Sequence, residues 1–344
     1  YEVAGTGESP LATIEDWVSW TDPRNGARGR RETHTMPQWA GSCWYYLRYL
    51  DPHNDTCLVD PEKERKWMPV DLYVGGAEHA VLHLLYARFW HHFLYDIGAV
   101  STKEPFRKLV NQGLILGEDG QKMSKSRGNV VNPDDVVREF GADAMRLYEM
   151  FMGPLEVVKP WTTRGVVGTK RFIDRIWRYC SDRLSDETPP RDLQRVLHQT
   201  IRKVTEDIEK IRYNTALAQM MTLQNEAGKA PLKYRQVAEA MVLMLSPFAP
   251  HVCEELWERM GHRPSIVDVA WPGFDPDLCV QDTVEVAVQI NGKVRGTVVA
   301  ASDIDQESLK QMALGNENVA RHLQGMTVRK VIVVGNRVVN IVAG

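Results

Sequence analysis

The sequence predicts a multidomain chain, with an α/β half-domain first, an all-α helical bundle second and a small α+β domain last. Three observations carry this expectation. Between residues 70 and 116 an apolar strand, a Gly-Gly turn, a helical period and a second apolar strand follow in order. From 165 to 261 apolar residues recur every three or four positions. After 282, β-branched runs flank two turn-forming dipeptides, Asn291-Gly292 and Gly335-Asn336.

Composition bounds what the chain can be. Its 344 residues, 43% of them hydrophobic, are enough for two or three cores. With 25% charged residues and a formal net charge of −3, the chain exerts no global pull on nucleic acid. Any RNA contact must rest on local basic patches. The five cysteines (43, 57, 180, 253 and 279) include no CxxC pair. That argues against a disulfide framework or a zinc ribbon and fits a reducing, cytoplasmic compartment. No apolar run approaches the roughly 20 residues of a membrane span, and no basic-then-apolar leader opens the chain. It begins at Tyr1-Glu2-Val3 without an initiating Met, as expected of a fragment or a processed chain.

The elements follow in order. Residues 1–35, with the turn-prone Asp22-Pro23-Arg24-Asn25-Gly26, read as an irregular connector with short strands. Trp39 to Leu50 reads as a buried aromatic helix, and the polar stretch 51–66 as a loop. Val70 to Val74 is a short strand ending in Gly75-Gly76. A helix over 78–97 follows, with Val81, Leu84, Leu85, Phe89, Phe93 and Leu94 as its apolar stripe and Gly98 as its stop. Leu109 to Leu116 is a second strand. These make a Rossmann-like layer, the second half of a catalytic domain over 36–164. A further helix starts at Asn132-Pro133-Asp134-Asp135 and ends at Gly141. The bundle spans 165–261, with its methionines as core. A proline-rich linker covers 262–281. The last domain, 282–344, holds two hairpins around one helical stretch from about Gln306 to Leu323.

Three stretches carry chemistry. The sharpest is Lys122-Met123-Ser124-Lys125-Ser126, followed by Arg127-Gly128-Asn129. Two lysines three apart in a loop can set two compact charges on a polyphosphate and stabilise a leaving pyrophosphate. Spacing alone fits a solvated basic loop as well. The rival phosphate pattern GxxxxGK[ST] is absent. The second stretch runs from Asp71 through Tyr73, Gly75, Gly76, Glu78 and His79 to His83. Paired glycines let a ligand approach the backbone. His79 and His83 share a helix face. No third ligand and no HExxH accompany them, so no protein-held metal is expected, and a core histidine is the other reading. The third stretch is Met36-Pro37-Gln38-Trp39-Ala40-Gly41-Ser42-Cys43-Trp44-Tyr45-Tyr46, whose aromatics read mostly as core.

The five-residue lysine string is identified as the KMSKS loop of class I aminoacyl-tRNA synthetases. The three stretches together resemble bacterial-type leucyl-tRNA synthetases, and the likeness runs from about Gly5 to the end. Isoleucyl, valyl and methionyl relatives share the loop but differ at Ser-Cys-Trp-Tyr-Tyr and Gly-Gly-Ala-Glu-His.

The resemblance implies a leucine–tRNA ligase that uses ATP, with Mg²⁺ accompanying it, and tRNA-Leu as partner. Lys122 and Lys125 would be catalytic. Gly75, Gly76, Glu78, His79, Gln112, Gly113, Met123 and Ser124 would bind ATP or adenylate. Trp39, Ser42, Tyr45, Tyr73 and His83 would shape the leucine pocket. Lys293, Arg295, Arg321, Arg329 and Lys330 are candidate tRNA phosphate contacts, and a solvated charged face fits each of them equally.

The family's HIGH-type motif and editing insertion are absent from this sequence. The resemblance therefore reads as the C-terminal half, inactive alone, with residues 1–35 resuming after the insertion. A chain or segment carrying the HIGH half is the expected partner. An open sheet edge or apolar face should mark where it packs. A non-catalytic tRNA-binding paralogue is the alternative, and an unrelated nucleotide-binding enzyme a remote third.

Overall fold

A computed structural model describes residues 5, 7–34, 39–263, 265–280, 283–302, 304–335 and 337–344. Met36, Pro37 and Gln38 of the third stretch, and Asn336 of the second hairpin, lie outside the described residues. The architecture is multidomain: an α/β Rossmann-like half-domain, an all-α bundle and a small α+β domain. The chain divides into two compact units, Tyr1–Pro133 with Met152–Thr163, and Asp134–Phe151 with Arg164–Gly344. No described helix is long and apolar enough to cross a membrane.

The first unit opens with the short helix α1 (Glu15–Val18) and the hairpin β1 (Ser19–Thr21) and β2 (Arg28–Arg30). Asp22 makes the turn between them, because its carboxylate accepts from both the backbone and the guanidinium of Arg24. The aromatic run does not form the expected helix. Only one turn, α2 (Tyr45–Arg48), is helical, and it has no side-chain cap. Tyr46 and Leu47 are buried, while Tyr49 is 75% exposed.

The polar stretch expected to be loop holds α3 (Pro61–Trp67). Asp60 caps it by accepting from the N–H groups of Glu62 and Lys63 at 2.9 and 3.0 Å, and Pro61 fills its first turn. Absence of apolar periodicity hid a helix whose start signal stood in plain sight.

The strand expected at 70–74 lies further on. It is β3 (Tyr73–Gly76), so both glycines are inside it. Val70 makes only an isolated bridge to Phe106. The helix expected over 78–97 breaks at Leu82 into a 3₁₀ turn, Ala77–Val81, and α4 (His83–Asp96). Gly98, at φ +74°, follows its end as expected. Most of the stripe points the other way: Val81, Leu85, Phe89 and Phe93 are 73, 60, 66 and 47% exposed, Leu84 is half-buried, and of the six only Leu94 joins His83, Ala87 and His91 on the buried face.

The second expected strand is also two pieces, β4 (Leu109–Gln112) and β5 (Ile115–Leu116). β3 pairs with β4 in parallel, Tyr73 opposite Leu109 and Gly76 opposite Gln112. β5 pairs in parallel with β6 (Lys159–Pro160).

The second unit holds the helices α5 (Pro133–Phe140), α6 (Ala142–Phe151) and α7 (Thr163–Ser181), though Pro133 and Thr163 themselves are assigned to the first unit. α5 carries Asp134 and Asp135 in its first turn and ends at Gly141, φ +91°. A two-residue strand, β7 (Leu184–Ser185), then precedes α8 (Arg191–Glu209) and α9 (Tyr213–Lys229). β8 (Lys233–Tyr234) pairs with β7, and α10 (Arg235–Leu245) and α11 (Pro250–Arg259) complete the bundle. Leu193, Leu197, Ile201 and Val204 recur along the buried face of α8, and Met220, Met241 and Met244 are fully buried.

One buried carboxylate ties α6 to α11. Asp143 accepts the Val252 N–H at 2.7 Å and lies 2.8 Å from Nδ1 of His251. The expected linker packs on α8 instead of hanging free. Gln199 donates to the Cys279 carbonyl at 2.8 Å, and Trp271 to Thr205 Oγ1 at 2.8 Å.

The last segment is a four-stranded sheet of β9 (Thr283–Ile290), β10 (Lys293–Ala301), β11 (Val328–Val334) and β12 (Val338–Ala343), in the order β10-β9-β12-β11. Asn291 and Gly292, at φ 48° and 80°, make the tight turn between β9 and β10. The expected single helix is two, α12 (Gln306–Gly315) and α13 (Glu317–Leu323). Asn316 divides them, its side-chain Oδ1 accepting from the N–H groups of Asn318 and Val319. Val286, Val288, Leu309, Val319, Val339 and Ile341 form the core.

Candidate active site

The parallel pair β3–β4 borders a cavity of about 410 Å³ in the first unit. Trp39, Ser42 and Tyr45 line one part of it; Tyr73, Gly75, Gly76, His79 and His83 line another; and Gln112 comes from β4. Nine of the expected substrate residues therefore gather at one place. Val74, Leu84, Leu109 and Asn111 line it too and were not anticipated. Asn111 stands opposite Gly75 in the strand register, so only the correct register could have found it.

A hydrogen-bonded chain orders the polar wall. The Tyr45 and Tyr73 hydroxyls are 2.6 Å apart, and the Tyr73 hydroxyl is 2.6 Å from Nε2 of His83. Ser42 donates to the Trp39 carbonyl at 3.1 Å, and its Oγ lies 3.4 Å from Nδ1 of His83. With the Ser42 proton committed, His83 donates from Nδ1 and accepts at Nε2. Tyr73 therefore donates to His83 and accepts from Tyr45. Burial holds the His83 pKa below its ordinary value, and His79 adds to this. Burial, then the bond with Tyr45, pushes the Tyr73 phenol well up. The wall is thus polar in its bonds but uncharged, which suits an apolar side chain.

His79 packs edge-on against Trp39, with ring centroids 5.5 Å apart. Its Nδ1 is buried without a hydrogen-bond partner among the described residues. Such an atom is costly unless a ligand completes it. Gly76 is small because the Glu78 carboxylate lies over it: a Cβ there would sit 2.5 Å from Oε2.

Gly113 does not belong to this wall. Its N–H donates to the Leu155 carbonyl at 2.9 Å, and a Cβ on it would lie 2.4 Å from the Val157 backbone. The buried Lys159 ammonium holds the same segment, donating to the Pro154 carbonyl at 2.7 Å.

Lys122, Met123, Ser124 and Lys125 are not lining residues of the cavity. They form a separate loop of the same unit, bridged at its base from Lys122 to Leu116. No carboxylate pairs with either lysine among the described residues. Among those residues no three His, Cys, Asp or Glu cluster as they would to hold a metal ion. The five basic residues expected to meet tRNA fall on three elements: Lys293 and Arg295 on β10 and Arg329 and Lys330 on β11, the two opposite edges of the sheet, and Arg321 on α13.

A family model for class I tRNA synthetases (I, L, M and V) matches residues 30–156, and one for the anticodon-binding domain of tRNA ligase matches 191–311. A leucyl-tRNA synthetase of Agrobacterium radiobacter K84, solved as a ternary complex with tRNA and LeuAMS, is similar to the whole chain at 33% identity and TM-score 0.77. The chain is a leucyl-tRNA synthetase-like member of class I. It spans 46% of the length of that relative. Two structures of Mycobacterium tuberculosis methionyl-tRNA synthetase with methionyl-adenylate share this class I fold at 19% identity, over 66% of this chain and 50% of theirs, with TM-scores of 0.51 and 0.52. The class I match covers the cavity and the lysine loop. The anticodon-binding match begins at α8 and runs into α12, leaving α7 outside.

Proposed function

We propose that the chain supplies the KMSKS half of a leucine–tRNA ligase and binds tRNA-Leu through its helical bundle and last domain. The observation that carries this reading is the uncharged cavity wall of Tyr45, Tyr73 and His83. An apolar side chain fits it, while Ser42 and the orphaned His79 nitrogen offer polar contacts to the rest of an amino acid or its adenylate.

In the reaction, a leucine carboxylate oxygen attacks the α-phosphorus of ATP. The bond to pyrophosphate breaks and leucyl-adenylate forms. A terminal ribose hydroxyl of the tRNA then attacks the leucyl carbonyl and releases AMP. Lys122 and Lys125 take the charge that builds on pyrophosphate, with Met123 and Ser124 shaping their loop. Trp39, Ser42, Tyr45, Tyr73 and His83 hold the side chain. Gly75, Gly76, Glu78, His79 and Gln112 border the adenylate, and Gly113 supports that strand end from behind. Mg²⁺ would enter with ATP, and no step is assigned to it on this chain.

The solvated face of Val81, Leu85, Phe89 and Phe93 supports a second part of the reading, that a segment carrying the HIGH half packs there. Leucine-dependent ATP–pyrophosphate exchange tests the whole. Exchange only when a HIGH-containing polypeptide is added, and lost with Lys125→Ala, upholds it. No exchange from two folded polypeptides would instead favour a non-catalytic tRNA-binding protein.

A further inference from the structure

The lysine loop has an internal fastening. The side-chain amide of Asn129 offers one acceptor and two donors. Its oxygen accepts the Ser124 N–H at 2.9 Å. Its nitrogen reaches both oxygens of Asp119 at 3.1 Å and the Lys122 carbonyl at 3.3 Å. Asp119 also accepts the Gln121 N–H at 3.0 Å. One side chain thereby joins the turn before the lysines, the backbone at Lys122 and the backbone between the two lysines. Room for this comes from Gly117. A Cβ there would lie 2.7 Å from Asp119 Oδ1 and 2.9 Å from Asn129 Nδ2. The Gln121 N–H and then Asn129 hold the Asp119 carboxyl below the usual carboxylate range, which keeps it an acceptor. Beyond the fastening, the loop closes with the 3₁₀ turn Lys125–Arg127 and Gly128 at φ +68°.

We propose that Gly117, Asp119 and Asn129 form a latch that sets the backbone from which Lys122 and Lys125 project, making Asn129 a positioning residue for the two ammonium groups. The proposal rests on the reading of this loop as the phosphate-binding one. A loop shaped before binding spares the conformational entropy of ordering it around a polyphosphate. Asn129 touches no substrate in this role. It acts through the lysines, so its loss weakens the nucleotide's hold without altering the cavity that takes the amino acid.

Two readouts separate the latch from the chemistry. Trypsin acts at Lys122, Lys125 and Arg127, so its cleavage rate in this chain alone reports how firmly the loop is held. Asn129→Ala is expected to be cut roughly 10-fold faster, by the loss of a charged hydrogen bond. Its KM for ATP in complemented exchange should rise by about the same factor, with KM for leucine unchanged. Exchanging the partners, Asp119→Asn with Asn129→Asp, restores a donor facing a carboxylate and should recover most of both losses. Cleavage of Asn129→Ala at the wild-type rate, or an exchanged pair as defective as the sum of its single variants, would overturn the latch. Lys125→Ala judges the underlying reading separately. If it leaves exchange at the wild-type rate, the phosphate role falls, while cleavage of the Asn129 variants still decides whether the latch exists.

Discussion

The Tyr73 hydroxyl stands 2.6 Å from Nε2 of His83, and the tautomer forced by Ser42 makes that nitrogen the acceptor. With Tyr73 as the donor, the bond needs a neutral imidazole; protonation would reverse it and break the order of the chain through Tyr45. Burial, reinforced by His79, lowers the His83 pKa in the folded chain. In the window between that depressed value and the ordinary value of about 6.5, the unfolded chain binds more protons. The contribution is therefore fully present above the ordinary value and is lost as pH falls through the folded one. Leucine affinity should follow the same course, holding at neutral pH and failing on the acid side. Tyr73→Phe leaves His83 without its donor and should raise KM for leucine about tenfold with little change in KM for ATP. Equal effects on both substrates would refute the assignment of this wall to the amino acid.

Gly113 offers a test that separates support from ligand contact. Alanine there drives a methyl group into the Val157–Val158 backbone. Overpacking of this kind costs about 1–3 kcal/mol. Gly113→Ala should lower the melting temperature of the first unit, whereas Gly75→Ala, whose Cβ meets nothing within 4 Å, should leave it nearly unchanged and act on nucleotide or leucine binding instead. Comparable melting of the two variants would return Gly113 to the ligand wall.

The contrast between these glycines marks what was legible in the sequence. The resemblance to leucyl-tRNA synthetases brought Trp39, Tyr45, Tyr73, His79 and His83 together, and they line one cavity; read alone, the same aromatics and histidines fit a core equally. The α8 core was legible from spacing alone. Facing was not. Val81, Leu85, Phe89 and Phe93 repeat as a helix core would, yet they meet water, and the buried face carries His83 and His91. Periodicity locates an apolar stripe but says nothing about which surface covers it. The placement of the basic residues of β10 and β11 was hidden for a related reason: only the strand order reveals that they occupy opposite edges.

Asp143 supports the helical unit with two bonds at once, to the Val252 N–H and to His251. It is buried and caps the start of α11 from α6. Asp143→Ala should cost about 1–3 kcal/mol. For a unit of this size that is a fall of roughly 2–4 °C in melting temperature per kcal/mol. Asp143→Asn keeps an acceptor for the Val252 N–H and should recover part of the loss. A melting curve for Asp143→Ala that overlays the wild type would show that α11 needs no cap from outside.

The exposed stripe of α4 and the 3₁₀ turn before it makes the last prediction. Burying each of Val81, Leu85, Phe89 and Phe93 would contribute about 1.5–3 kcal/mol, and in this chain they face solvent. At micromolar concentration the chain should therefore self-associate, or bind tightly to a polypeptide carrying the HIGH half. Leu85→Glu with Phe89→Glu should make it monomeric in sedimentation and abolish complementation in the exchange assay. Melting temperature should change little, because Leu85 and Phe89 are 60 and 66% exposed. If the wild-type chain sediments as a clean monomer and the double variant still complements, the face is merely solvated and the partner docks elsewhere.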